Sequence, residues 1–255
     1  MFVEAAGRRI DAQWLPARVE GAPTLVFLHE GLGSLGLWRD VPRTIAEQTG
    51  LSALVYSRYG HGRSEVLQAA RDVQYMHDEA LAALPDLLDR FDVERAILVG
   101  HSDGASIALL YAAEYPQRVA GVVAEAPHVF VEALSVSSIA AIGEQYRNGT
   151  LRERMARHHD DVDATFFGWN DIWLHPSFLE WNIVGSLGRV TAPVLCIQGA
   201  QDEYGTLAQL DAIARNAQAP VDRVILEGCG HSPHRDRANV VAPIIVGWVK
   251  AIAQA

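Results

Sequence analysis

Cysteine is scarce in this chain of 255 residues, in which only Cys196 and Cys229 occur. Two cysteines cannot form the disulfide framework that stabilises small secreted domains. Each lies in or beside an apolar segment, which favours buried free thiols. The length is sufficient for one large domain, or for a core with an inserted cap.

Basic residues are also under-represented: Lys and Arg number 21 against 31 Asp and Glu, and the formal net charge is −10. Lysine is almost absent, and no segment is rich in Lys or Arg. A nucleic-acid-binding protein needs a basic face that neutralises phosphates, so the composition excludes nucleic acid as a partner. The acidic balance bears mainly on solubility.

Long apolar runs are missing as well. No run reaches the ~18 residues that a membrane helix requires, so we expect no membrane association. The first 14 residues, MFVEAAGRRIDAQW, do not combine a basic start with an apolar stretch, so we expect no signal peptide. The cytoplasm is then the expected location by default.

Short β-branched segments alternate along the chain with longer segments of helical spacing. Near-continuous apolar segments, typical of strands in a parallel sheet covered on both faces, occur at 24–29, 52–57, 95–100, 120–126, 193–199 and 222–228. Helical spacing occurs at 38–48, 72–91, 103–115, 206–217 and 236–253. Residues 2–5 and 12–19 are expected to form an antiparallel edge. The pattern predicts an α/β fold with a doubly wound, mostly parallel, eight-stranded sheet flanked by helices.

Residues 128–188 break this alternation, because they contain helical segments, no convincing strand and three of the six tryptophans. We expect these residues to form a helical cap, inserted between two parts of a core domain at 1–127 and 189–255. A lid over a pocket is one interpretation of the insertion. A purely structural helical layer is the alternative.

The motif Gly100-His101-Ser102-Asp103-Gly104 is a G-x-S-x-G that lies between a predicted strand and a predicted helix. This context favours a nucleophile elbow, a sharp turn that presents the serine at the carboxyl end of the sheet. The start of the helix behind the serine favours negative charge. A structural serine in an ordinary turn is the alternative.

A nucleophilic serine needs a base, a carboxylate that orients the base, and N–H donors for the oxyanion. Among the ten histidines, His231 is the favoured base, because it follows a predicted strand in a glycine-rich turn. Asp202 also follows a predicted strand, 29 residues before His231, and is the favoured acid. Glu125, at the end of another strand, is the alternative acid.

The segment LHEGLGSLGLW at 28–38 follows a further predicted strand and is rich in glycine. Glycines allow backbone N–H groups to face a ligand closely. We expect an oxyanion hole made from the N–H of Asp103 and that of Gly31 or Glu30. A merely tight turn is the alternative.

Together these motifs resemble the α/β-hydrolase fold family, and the order Ser102, Asp202, His231 matches that family's order. HEGLGS resembles the family's His-Gly-x-x-Gly loop, with Glu30 in place of the usual glycine. SRYGHGRS resembles its Asp-x-x-Gly-x-Gly-x-Ser loop, with Ser57-Arg58 at the start, and GAQDEY and GCGHSPH resemble the acid and histidine loops. The resemblance covers the chain outside 128–188.

The resemblance implies an acyl-enzyme mechanism without a cofactor: Ser102 attacks a carbonyl carbon, His231 transfers the proton, and Asp202 orients His231. A serine nucleophile argues against haloalkane dehalogenase and epoxide hydrolase chemistry. We also expect no metal site, because the consecutive side chains of HHDD at 158–161 cannot all face one point from a helix.

The substrate is less constrained by the sequence. Trp169, Trp173 and Trp181 are candidates for a pocket that holds an apolar acyl or aromatic group, with core packing as the alternative. The loop of Arg58 is a further candidate for the pocket. We expect Arg58, or Arg63 in the same loop, to neutralise Glu30.

Unpaired carboxylates of Glu30 and Asp103 beside the oxyanion site would disfavour anionic substrates. The leading hypothesis is therefore hydrolysis of a small carboxylic ester. A thioesterase, an amidase or a hydrolase of carbon–carbon bonds in ring-cleavage products would use the same residues. A ligand receptor with slow turnover is the alternative from another class, and the sequence does not indicate an oligomeric state.

Overall fold

The structure, a computed structural model, describes residues 1–16 and 21–253. It contains one eight-stranded sheet in the order β1-β2-β4-β3-β5-β6-β7-β8. The strands are β1 (Phe2–Ala5), β2 (Arg8–Leu15), β3 (Thr24–Leu28), β4 (Ala53–Tyr56), β5 (Ala96–His101), β6 (Val119–Glu125), β7 (Val194–Gly199) and β8 (Val221–Leu226). The first two strands are antiparallel to their neighbours, and all other neighbouring strands are parallel. The predicted fold class and strand count are confirmed.

The apolar segments that predict strands form the middle of the sheet. Every residue of β3, β4, β5, β6 and β7 is buried, as expected for strands covered on both faces. The antiparallel edge is present, but β2 starts at Arg8 rather than at residue 12. Ala6 and Gly7 both have positive φ, so a two-residue turn suffices between β1 and β2. Residues 17–19 of the predicted edge strand lie outside the described residues.

Helices cover both faces of the sheet. They are α1 (Val41–Thr49), α2 (Tyr75–Asp78), α3 (Leu84–Arg90), α4 (Asp103–Glu114), α5 (Ala133–Asn148), α6 (Leu151–Met155), α7 (Val162–Leu174), α8 (Val184–Leu187), α9 (Ala208–Asn216), α10 (Pro233–Asp236) and α11 (Ala238–Ala253). The helix predicted over 72–91 is divided by a π-helical turn at Glu79–Ala83, which ends two residues before Pro85. Among the described residues, no helix combines the length and apolar character that crossing a membrane requires.

Two apolar cores lie on opposite faces of the sheet because successive strand residues point to opposite sides. Val26 and Leu28 of β3 pack in the core that contains α4. Leu25 and Phe27 of the same strand pack in the core that contains α1 and α11. The sheet is thus held between two helical layers, and its carboxyl edge is left for loops.

Residues 128–188 are helical, as predicted, and comprise α5 to α8 between β6 and β7. The extended pairing described in this segment is one isolated bridge, between Phe130 and Asn182. A small apolar cluster of its own includes Tyr146 and Phe166. The three tryptophans of residues 128–188 belong instead to the apolar core that contains α4. The segment therefore packs directly onto the carboxyl edge of the sheet.

The start of α4 approaches β3 very closely, and a glycine makes the approach possible. A Cβ atom added to Gly104 would lie 2.7 Å from the carbonyl oxygen of His29 and closer still to that of Leu28. Contact this short with backbone cannot be relieved by a side-chain rotation. The residue after Asp103 is therefore restricted to glycine as long as α4 keeps its position.

We expect Gly104→Ala to lower the free energy of unfolding by about 2–3 kcal/mol, because α4 has to move away from β3. Gly247→Ala in α11 is the matched control, since a Cβ there meets no atom within 4 Å. Alanine should stabilise that exposed helical position by about 0.5–1 kcal/mol. Urea denaturation of both variants measures the difference, and equal effects at the two positions would contradict the steric argument.

Candidate active site

Ser102 occupies a strained turn between β5 and α4. Its φ is 53° and its ψ is −119°, a region that residues with a side chain rarely adopt. Its N–H donates to the Glu125 carbonyl oxygen at 2.9 Å, and its own carbonyl oxygen accepts from the N–H of Ala105 at 2.9 Å. These bonds hold the turn from both sides. The side chain is consequently presented at the carboxyl edge of the sheet.

The three residues predicted to act together do lie together. His231 follows β8, and its Nε2 is 2.9 Å from Ser102 Oγ. Asp202 follows β7, and its Oδ1 is 2.8 Å from His231 Nδ1. An ionised carboxylate can only accept, so Nδ1 carries the ring proton and Nε2 is free to accept from the serine hydroxyl. This arrangement is able to remove a proton from Ser102 during a nucleophilic attack.

Asp202 is held in its ionised form by its hydrogen bonds. Burial alone raises the pKa of Asp202, but donation from His231 and from the N–H of Tyr204 holds that pKa below its ordinary value. The amide of Gln198 donates to the second carboxylate oxygen at 3.2 Å. The alternative acid, Glu125, is already bonded to Nδ1 of His234 at 2.9 Å. The geometry therefore supports Asp202 as the partner of His231.

The loop after β3 leaves N–H groups free beside Ser102. Among the described residues, the N–H groups of Glu30, Gly31 and Asp103 donate no hydrogen bond. The loop is closed by a bond from the N–H of Gly33 to the Glu30 carbonyl oxygen at 3.0 Å. The three residues predicted to supply oxyanion donors thus all retain an N–H group without an acceptor in the described part of the chain.

Arg58 supports this loop from behind and is only 1% exposed. Its Nη2 donates to the carbonyl oxygens of His29 at 3.2 Å and Glu30 at 2.9 Å. The same nitrogen is 3.9 Å from the carboxylate of Asp103. The expectation that Arg58 or Arg63 neutralises the Glu30 carboxylate is wrong. That carboxylate faces His101 instead, because the arginine is drawn to the loop's carbonyl oxygens and to Asp103.

The Asp103 carboxylate points into the core and takes part in a buried polar chain. Tyr75 donates its hydroxyl proton to Asp103 at 2.7 Å, and Trp173 donates its indole N–H to the Tyr75 oxygen at 3.0 Å. Burial raises the pKa of Asp103, while Arg58 and the Tyr75 hydroxyl act in the opposite direction. The chain connects the elbow to helix α7 of the inserted segment.

The three candidate pocket tryptophans lie at different distances from the elbow. Trp169 packs on residues 29–33 of the loop after β3, here called the oxyanion loop after its predicted role. A Cβ added to Gly31 would lie 2.7 Å from Cε2 of Trp169. Trp173 contacts the ring of His128 at 5.2 Å, and His128 contacts that of His231 at 5.6 Å. Trp181 is one ring further away, 6.5 Å from Trp173.

Two polar residues of the site, His128 and Tyr75, have no role predicted from the sequence. His128 lies three residues after the end of β6, as the predicted acid Asp202 lies three residues after the end of β7. Burial and the neighbouring His231 lower its pKa to about 3, so its ring is neutral. Tyr75 carries no comparable signal, because it lies inside a helical pattern 28 residues before Asp103.

A metal centre is not part of the described geometry. Within residues 1–16 and 21–253, no three His, Cys, Asp or Glu side chains are grouped so as to hold a metal ion. In the segment HHDD, the ring of His159 is engaged by the N–H of Gly62 at 2.9 Å.

The sequence of residues 23–167, more than half of the chain, matches the family model described as the alpha/beta hydrolase fold. The chain belongs to the α/β-hydrolase fold family. Its site has the position that open α/β sheets generally give to ligands, at the carboxyl ends of the strands. The protein is thus an α/β-hydrolase, as the resemblance implies.

Several known proteins resemble this α/β-hydrolase. The dihydrolipoyllysine-residue acetyltransferase component of the acetoin cleaving system of Pseudomonas putida is 31% identical over 150 residues, which are 57% of this chain and 35% of that protein. The bifunctional esterase/perhydrolase DCH of Acinetobacter calcoaceticus is 25% identical over 179 residues, 67% of this chain and 63% of the relative. The matches thus span less than two thirds of either relative.

The solved structure of 2-hydroxy-6-oxo-6-phenylhexa-2,4-dienoate hydrolase from Rhodococcus sp. strain RHA1 superposes with a TM-score of 0.79. The identity is 17%, and the superposition covers 97% of this chain and 98% of the other. Similarity at that identity establishes a shared fold over nearly the whole length. It does not establish a shared substrate.

We expect Tyr75→Phe to lower the free energy of unfolding by about 1–3 kcal/mol, because Asp103 loses a donor and the Trp173 indole loses its acceptor inside the core. Tyr115→Phe is the control, since its hydroxyl bonds the Leu81 carbonyl oxygen at an exposed position. That variant should change stability by less than about 0.5 kcal/mol. Urea denaturation compares the two, and an equally small effect at Tyr75 would count against the buried chain.

Proposed function

We propose that the protein is a serine hydrolase that cleaves a small carboxylic ester through an acyl-enzyme. Ser102 is the nucleophile, His231 the general base and acid, and Asp202 the residue that orients His231. The observation that carries the proposal is the continuous hydrogen-bonded chain from Asp202 through His231 to Ser102.

The first half of the reaction forms the acyl-enzyme. Ser102 Oγ attacks the ester carbonyl carbon while its proton passes to His231 Nε2. The carbonyl oxygen becomes an oxyanion and accepts hydrogen bonds from the N–H groups of Gly31 and Asp103. Each such donor contributes ~3 kcal/mol of transition-state stabilisation. His231 then protonates the leaving alkoxide as the carbon–oxygen bond breaks.

The second half releases the acid. A water molecule takes the place of the alcohol, and His231 Nε2 accepts a proton from it as its oxygen attacks the acyl carbon. The second oxyanion uses the same two N–H groups. When the bond to Ser102 Oγ breaks, His231 returns the proton to the serine. Asp202 stays ionised throughout and stabilises the imidazolium form of His231.

We further propose that residues 128–188 act as a cap, distinct from the core of residues 1–127 and 189–255. Ser102 is only 6% exposed, which supports a covered site. Trp169 contacts the oxyanion loop and Trp173 contacts His128, which supports a pocket for an apolar acyl group between them. Trp181 supports Trp173 from a second layer.

An ester is the favoured substrate class on two grounds. The Acinetobacter relative is a bifunctional esterase/perhydrolase and matches 67% of this chain. The site also holds His128, whose lowered pKa leaves it neutral, two tryptophans and an inward-turned Asp103, none of which supplies a positive charge to attract an anionic substrate.

We expect Ser102→Ala to abolish labelling by a fluorophosphonate probe and to lower kcat for short-chain aryl esters at least about 10⁴-fold, because Ser102 supplies the one hydroxyl bonded to His231 Nε2 in the part of the chain that the structure describes. Ser137→Ala is the control. Its hydroxyl is exposed on α5 and bonds the Leu134 carbonyl oxygen of the same helix, so labelling and turnover should persist.

Retained turnover in Ser102→Ala would refute the assignment. A panel of matched esters, thioesters, amides and vinylogous diketones then ranks the scissile bonds by kcat/KM. A higher value for a thioester or a diketone would replace the ester as substrate while leaving the three residues in their roles. Tight binding of esters with negligible turnover would instead favour a receptor.

We expect Trp169→Phe to enlarge the space above Gly31 and to raise the ratio of kcat/KM for a phenylacetyl ester over an acetyl ester by about tenfold. Trp248→Phe is the control, since that indole lies on α11 and donates to Asp222 at 3.0 Å, away from the site. The control should leave the ratio unchanged. An unchanged ratio in Trp169→Phe as well would exclude this tryptophan from the acyl pocket.

A further inference from the structure

Glu125 is the last residue of β6, a strand that otherwise consists of Val, Ala and Gly. Its side chain is 0% exposed. The sequence suggests this residue only as the alternative acid, and the geometry supports Asp202 in that role. Burial of a carboxylate costs free energy unless hydrogen bonds compensate for the lost water. The partners of Glu125 therefore indicate what its carboxylate contributes.

The loop of His231 supplies those partners. Oε2 of Glu125 accepts the N–H of His234 at 3.1 Å and the Nδ1 proton of the same residue at 2.9 Å. Burial alone raises the pKa of Glu125, but His234 holds that pKa below its ordinary value, so the carboxylate is ionised and can only accept. His234 therefore carries a proton on Nδ1, and this bond forms whether the ring as a whole is charged or neutral.

The backbone of Glu125 binds the turn of the nucleophile. Its carbonyl oxygen accepts the N–H of Ser102 at 2.9 Å. His234 is only three residues after His231, at the start of α10. One buried residue thus contacts the turn of Ser102 with its backbone and the loop of His231 with its side chain.

The surroundings of His234 keep its ring in this position. The ring lies 4.6 Å from that of Trp38 and 4.9 Å from that of His101, measured between ring centres. The residue is 8% exposed. Neighbouring rings therefore enclose the imidazole, while the carboxylate of Glu125 determines the direction of Nδ1.

We propose that Glu125 is a positioning residue that sets the distance between Ser102 and His231. Its backbone holds the turn of Ser102, and its carboxylate holds the loop of His231 through His234. The proposal rests on the proposed function, since this distance governs the transfer of the serine proton to His231 Nε2. Glu125 acts through these neighbours and takes no part in the proton transfer itself.

Glu125→Leu removes the acceptor and leaves two buried N–H donors of His234 without a partner, so the loop has to move. We expect kcat for a short-chain aryl ester to fall at least about tenfold with KM within about twofold, because the base is displaced while the pocket is kept. The rate constant of fluorophosphonate labelling should fall by a similar factor. Unchanged kcat and labelling would overturn the proposal.

Glu125→Gln is the conservative variant. Its amide oxygen can take the place of Oε2 and accept both bonds, while its nitrogen takes the place of Oε1, which has no partner among the described residues. We expect kcat within about threefold of the wild type, since a neutral acceptor forms weaker bonds than a carboxylate but keeps their geometry. A loss as large as that of Glu125→Leu would refute the role of the acceptor.

His234→Phe removes the bond at Nδ1 but keeps a ring against Trp38 and the backbone N–H that Glu125 accepts. We expect kcat to fall about threefold or more, again with KM within about twofold. The double variant with Glu125→Leu should be no slower than Glu125→Leu alone, because both changes break the same contact. Effects that multiply would show that the two residues act independently and would contradict the proposal.

Thr24→Val is the matched control for a loss of stability alone. The Thr24 hydroxyl is buried and hydrogen-bonded to that of Ser52 at 2.9 Å, at the amino end of β3. The variant thus removes a buried hydrogen bond at the opposite edge of the sheet, and kcat should stay within about twofold of the wild type. If it lowers kcat as much as Glu125→Leu does, the effect is one of general stability and the positioning role is refuted.

A measurement without turnover separates this proposal from the proposed function. Crystal structures of the wild type and of Glu125→Leu give the distance from Ser102 Oγ to His231 Nε2, which is 2.9 Å in the present structure. We expect it to lengthen beyond about 3.5 Å in the variant, outside hydrogen-bond reach. An unchanged distance would overturn the proposal, whatever the outcome of the Ser102→Ala experiment.

Discussion

The close contact between the first turn of α4 and the end of β3 is the constraint on which the site depends. Gly104 lies against the carbonyl groups of Leu28 and His29. This contact brings the start of α4, which carries the N–H of Asp103, beside the end of β3, where the loop of Glu30 and Gly31 begins. The strained turn at Ser102 is the local consequence, because the chain has to reverse from strand to helix within one residue. The adjacent strands supply the bond from Ser102 to Glu125 that holds it.

Buried charge, rather than apolar packing alone, fixes the loops around that contact. Arg58 binds the carbonyl oxygens of the oxyanion loop and approaches Asp103, which Tyr75 also binds. Removing one partner of such a buried hydrogen bond or ion pair leaves the other partner buried without a bond, which lowers stability. The loops consequently have one low-energy arrangement, which a catalytic site needs if its donors are to be in place before the substrate arrives.

Much of this was predictable from the sequence, because the relevant signals are local. Apolar β-branched segments mark the central strands, and the elbow, the acid loop and the histidine loop each follow a strand directly. Since parallel strands share one carboxyl edge, Ser102, Asp202 and His231 could be expected to meet there. Their distances agree with that expectation.

The partners of the remaining polar groups depend on side-chain direction, which spacing along the chain does not give. The sequence predicts Arg58 or Arg63 at the Glu30 carboxylate, yet Arg58 turns to the backbone of the loop and to Asp103. The Tyr75 hydroxyl meets Asp103 only because α2 packs against α4. The π-helical turn before Pro85 likewise depends on how that helix fits the core, and the periodicity of the sequence does not predict it.

The contact between Gly31 and Trp169 joins the loop after β3 to the inserted helices at a position where no side chain fits. A side chain at position 31 cannot be accommodated while an indole occupies the space above it. A smaller residue at 169 would have to be acquired first, or at the same time. Through evolution the two positions are therefore free to vary only as a pair, although 138 positions separate them in the chain. The residues that position 169 of the inserted segment accepts therefore depend on the residue at position 31 of the loop beneath it.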